Sequence, residues 1–87
     1  DPGESTSHYT SAVRLMVICV QHNPEDNRSR KDLKRLIEDF EQRHITLDRT
    51  PVQESIAVLA SIPSQPREVD AQLSEYRKRL DALATRN

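Results

Sequence analysis

The chain has 87 residues, 31% of them charged, yet its net charge is only −1, and it holds a single cysteine, glycine and methionine. That length allows one small domain, the charge balance excludes strong self-repulsion, and a lone thiol excludes an internal disulfide. With 8 Leu, 5 Ile, 6 Val and 1 Phe, the chain can build a modest aliphatic core.

Residues 1–7, "DPGESTS", include the only glycine and no apolar side chain, so they read as a flexible linker. The remainder, 8–87, reads as one all-α domain, a small bundle of three to four short helices. Near-absence of glycine removes most tight hairpin turns and argues against a β-rich fold.

The first helix is expected over about 8–21, around "VRLMVICV", Val13–Val20. Seven of these eight residues are apolar, so the segment reads as the central member around which the others pack. Cys19, embedded in it, reads as a buried inert thiol. The run is far shorter than the roughly 20 residues of a membrane span, and Arg14 interrupts it. A strand paired with "HITLD" is the alternative for this run, since Val13, Val17, Ile18 and Val20 are β-branched.

A second helix is expected over 29–44, with Ser29 and Asp32 resembling a capping box, the alternative being an earlier start with Asn23 as cap and Pro24 at the first position. Leu33, Leu36, Ile37 and Phe40 follow the i, i+3, i+4, i+7 spacing of one buried stripe. "TPVQ" places a third helix over 51–62, with Thr50 as cap and Pro51 in the first turn. Thr50-Pro51 also has the form of a proline-directed phosphorylation site. A fourth helix over 67–84 carries Val69, Leu73, Tyr76, Leu80 and Leu83 at four-three spacing. Most such seams cover a bundle core, and the alternative use is self-association through this last helix.

Chemistry is sparse. No glycine-rich loop can cradle a phosphate, and no nucleophile sits beside a base, so no catalytic residue, cofactor or metal site is assigned. Glu41 and His44 have the spacing of half a di-iron pair but lack the rest. His8, His22 and His44 read as surface or boundary residues.

Charge placement is the feature above background. Arg28, Arg30, Lys31, Lys34 and Arg35 form a basic cluster, and Arg77 and Lys78 lie in a second one on the last helix. If the second helix starts near Ser29, cations crowd the end where the macrodipole favours anions. The expected function is a non-enzymatic protein-interaction or assembly module of a larger intracellular or viral protein. Its basic surface would dock an acidic or phosphorylated partner segment. Nucleic-acid binding through the same residues is the alternative. An intracellular setting, cytoplasmic or nuclear, is expected from the unpaired cysteine and the absence of a signal peptide.

Overall fold

Helix boundaries in the computed structural model trace to particular side chains. The structure describes the backbone of residues 2–85 and the side chains of residues 6–85. Four helices follow one another: α1 (Pro2–His22), α2 (Asn27–Arg43), α3 (Arg49–Ser61) and α4 (Arg67–Thr85). Among the described residues there is no strand.

Aspartates, rather than the expected hydroxyls, cap the two middle helices. The Asp26 carboxylate accepts the Arg28 N–H at 3.0 Å and the Ser29 hydroxyl at 3.3 Å, so α2 starts two residues before Ser29. The Asp48 carboxylate accepts the Thr50 N–H at 3.0 Å, which starts α3 at Arg49 and places Thr50 and Pro51 within its first turn. Proline is tolerated there because first-turn N–H groups have no intrahelical acceptor. His44 ends α2 in the left-handed region, with φ 55°, and the Ile45 N–H donates to the Phe40 carbonyl at 3.1 Å. That pair of features is a Schellman ending, here without the usual glycine. The linker expected over 1–7 is helical from Pro2 onward, while Asp1 lies outside the described residues.

Connections are short: residues 23–26, 44–48 and 62–66. Contacts fix the directions of the helices. Tyr9 near the start of α1 meets Phe40 near the end of α2, ring centroids 5.3 Å apart and edge to face. Those two helices are therefore antiparallel. Arg49 at the start of α3 donates to the Ala84 carbonyl at the end of α4, so that pair is antiparallel as well. Arg30 and Glu41 on α2 meet Gln72 and Arg79 on α4 in the same order, which makes these two helices parallel neighbours.

α1 packs on α2 and α3, and α4 packs on α2 and α3, whereas the pairs α1/α4 and α2/α3 lie across the diagonal. The link from α2 to α3 therefore crosses the end of the bundle. Interaxial distances of 8–10 Å make that diagonal about 11–14 Å. Five linking residues at roughly 3.3 Å each reach it when extended. Residues 45–48 form an irregular crossing, not the strand that was the alternative. Leu47 within the crossing is buried and Ile45 packs on the core margin.

Core residues come from all four helices: Val13, Val17, Val20, Leu33, Ile37, Phe40, Val52, Leu59, Leu73, Tyr76 and Leu80 among them. The octet of α1 is not the central member. In a square arrangement no helix is central, and α1 is one corner. Only Val13, Val17 and Val20 of the octet are buried, Met16 and Ile18 are half-buried, and Leu15 is 63% exposed. Cys19 is exposed as well, contrary to the buried thiol expected from its neighbours.

Leu47 and Leu15 thus test the architecture. Leu47→Ser should destabilise the fold by about 2–4 kcal/mol, as removal of a buried leucine side chain does. Leu15→Ser should change stability by less than about 0.5 kcal/mol. Urea melts of both variants would check the ordering, and equal costs would contradict it.

Candidate functional site: an unpaired basic face on α2

The basic cluster of α2 divides in two once folded. Arg30 is turned inward, 8% exposed, and its guanidinium donates to the Gln72 side chain of α4. Its Nε is buried with no hydrogen-bond partner among the described residues. Arg30 therefore belongs to the α2–α4 seam and is no part of a docking surface. Lys34 lies on the same side, 3.8 Å from Glu38. Arg43 at the far end pairs with Asp39 at 2.9 Å and donates to the Tyr9 hydroxyl at 2.8 Å.

Arg28, Lys31 and Arg35 remain exposed on the outer face, and among the described residues none of them forms an ion pair. At 100° per residue these three fall within about one sixth of the helix circumference, opposite Leu33, Ile37 and Phe40. Arg35 also borders a shallow α1–α2 groove lined by Met16, Asp32, Leu36 and Asp39. Leu36, expected in the core stripe, is half-buried: it packs against the core and also lines this groove.

Because α2 starts at Asn27, the conflict with the macrodipole is real. The first turn holds no acid, and Arg28, Arg30 and Lys31 sit where the helix end is positive. Each cation so placed is unfavourable by about 0.3–1 kcal/mol when exposed. The Asp26 cap offsets part of this.

Arg77 and Lys78 do not join this face. Arg77 lines a groove on the opposite side of α4, with Leu59, Ile62, Asp70 and Leu73. Lys78 is exposed on the outer side of α4. Arg79, the cation of that cluster nearest α2, is bound by Glu41, its Nε donating at 3.2 Å. That hydrogen bond, before any other influence, holds its pKa above the ordinary guanidinium value. A single positive surface spanning α2 and α4 is not formed.

Val69, Leu73, Tyr76, Leu80 and Leu83 are all buried in the domain's own core, which leaves no seam on α4 for a second copy. No group of three or more His, Cys, Asp or Glu gathers among the described residues as a metal site would require. His8, His22 and His44 are exposed. No helix among the described residues is long and apolar enough to cross a membrane.

No family model, curated protein or solved structure matches this chain. Surface chemistry alone therefore carries the functional reading.

Tyr76, beside the α2–α4 seam, offers a test of this geometry. Burial raises its phenol pKa above the ordinary value, with Arg30 and then Arg79 pulling the other way. Below the unfolded value of about 10 both states keep the proton, so stability is unaffected there. As pH rises above it, the unfolded chain ionises first and the fold loses stability. Tyr76→Phe should remove that loss. In urea melts from about pH 8 to 11, the variant should gain on the wild type above pH 10, and parallel curves would contradict the burial of this phenol.

Proposed function

We propose that the domain is a protein-interaction module whose α2 outer face docks an acidic or phosphorylated segment of a partner. One observation carries the reading. Arg30, Lys34 and Arg43 are each engaged within the chain, while Arg28, Lys31 and Arg35 stand together, exposed and without an ion pair. Arg28 lies in the first turn of α2, where a cation costs stability, and Lys31 and Arg35 add like charge beside it, so an anionic partner would relieve that cost. The guanidinium groups of Arg28 and Arg35 suit bidentate capture of carboxylate or phosphate, and Lys31 adds a compact charge between them. Met16 and Leu36, in the groove that Arg35 borders, offer apolar contact for the partner's neighbouring side chains. Charge of this kind governs association rate and partner choice more than final affinity.

The α4 cations Arg77 and Lys78 take no part in this face. Nucleic acid remains the competing ligand, since phosphate attracts the same three residues. Against it stand Asp32 and Asp39, which line the adjoining groove and would repel a continuous phosphate backbone.

Fluorescence anisotropy with acidic peptides, with and without phosphoserine, tests the proposal. Binding to the 87-residue chain should weaken as salt rises. The double reversal Lys31→Glu, Arg35→Glu should cost at least about tenfold in affinity, with an unchanged circular dichroism spectrum. Arg77→Glu with Lys78→Glu should leave binding as it is. Retained binding after the α2 reversal would reduce the face to solvated surface. Tighter binding to duplex DNA than to every peptide would transfer the face to nucleic acid.

A further inference from the structure

Charge is gathered on one side of the bundle. α2 carries ten charged residues in 17 and α4 eight in 19, whereas α1 carries two in 21 and α3 two in 13. Because α2 neighbours α4, the charge-rich helices share the seam that Arg30 enters.

Within that seam the charges do not balance where water is excluded. Arg79 is matched by Glu41, and Lys34 by Glu38. Arg30 is buried, yet among the described residues no carboxylate lies within ion-pair distance of it. Its acceptor is the neutral side-chain carbonyl of Gln72. A buried cation without a counter-charge is costly, and an anion nearby lowers that cost.

Beside this contact lies a cavity of about 250 Å³, lined by Lys34, Ala71, Gln72, Glu75, Tyr76 and Arg79. Two of its walls carry donors that nothing in the chain uses. The Gln72 amide nitrogen has no acceptor among the described residues, although its oxygen is taken by Arg30. Tyr76 is 3% exposed, and its hydroxyl forms no hydrogen bond among the described residues. That hydroxyl is not sealed in the core, because the side-chain atom both buried and unpartnered there is Arg30 Nε. It opens on the cavity that Tyr76 lines.

We propose that this cavity binds a carboxylate group. The Tyr76 hydroxyl and the Gln72 amide each donate to a carboxylate oxygen, and Lys34 and Arg79 add positive charge from the walls. Arg30, behind Gln72, gains the counter-charge it lacks. Glu75 selects the class of anion. Its exposed carboxylate belongs to the wall and repels a dianion twice as strongly as a monoanion, which favours a carboxylate over a phosphate. The volume falls below the roughly 300–1,000 Å³ of sites for drug-sized ligands, so the occupant is a small acid or one acidic side chain.

Titration of the 87-residue chain with sodium acetate, against sodium chloride at equal ionic strength, tests the site by nitrogen-15 NMR. The Gln72 side-chain amide should shift saturably with acetate and not with chloride. Tyr76→Phe keeps the packed ring and should weaken binding by about tenfold or more, as loss of a hydrogen bond to a charged group does. Glu75→Gln should tighten binding, since a repelling charge leaves the wall. Inorganic phosphate, as its dianion, should bind more weakly than acetate. An absent or unsaturable shift, equal affinity in Tyr76→Phe, no gain in Glu75→Gln, or phosphate binding tighter than acetate would overturn the inference. A free organic acid and a partner's acidic side chain offer the same group, and competition separates them. Displacement of acetate by an acidic peptide assigns the site to a side chain, and acetate retained at peptide saturation assigns it to a free acid. Arg28, Lys31 and Arg35 lie outside this cavity. Peptide binding lost through their reversal and acetate binding lost in Tyr76→Phe are therefore separate results.

Discussion

The five-residue crossing 44–48 decides which helices are neighbours, and the other properties of the surface follow from that choice. Had the chain turned back beside α2, α3 would occupy the adjacent corner and charge-rich and charge-poor helices would alternate around the square. The crossing instead carries α3 to the corner beside α1. It is held in place by burial of Leu47 and by the left-handed residue His44, which redirects the chain at the end of α2. Asp48 then starts α3 at once.

Two unlike seams result. Between α1 and α3, Val17, Ile18 and Val58 line a groove with Arg14 and Glu54 at its edge. Between α2 and α4 the contacts are polar: Arg30 with Gln72, and Arg79 with Glu41. A buried ionic or polar contact contributes little net stability compared with apolar packing, because desolvation offsets its attraction. The α2–α4 seam therefore specifies alignment more than it strengthens the fold, and the orphaned Nε of Arg30 is a cost within it.

How much of this was legible in the sequence varies by element. Helix α2 was readable because Leu33, Ile37 and Phe40 recur at helical spacing on an otherwise polar segment. The seam of α4 was readable for the same reason, and all five of its side chains fill the core. Helix starts were misread at Ser29 and Thr50 because an aspartate stood close upstream of each, and a carboxylate competes well with a hydroxyl for first-turn N–H groups. The octet of α1 misled in a different way. A run apolar on every side implies cover on every side, but it does not say whether one chain supplies all of it. Leu15 and Cys19 face outward because a corner helix has only two neighbours. The split of the basic cluster was invisible too, since Arg30 turns inward only where α4 brings Gln72 beside it.

The parallel run of α2 and α4 has a consequence for how the chain reaches this arrangement. Each half, α1 with α2 and α3 with α4, is a helical hairpin closed by a link of four or five residues, so its contacts are close in sequence. Such local pairs form quickly, and the slower search is reserved for docking one hairpin onto the other. The tether between them has only five residues. It allows the halves little freedom to meet in the wrong order, so the strap that sets the final layout also narrows the route by which it is found.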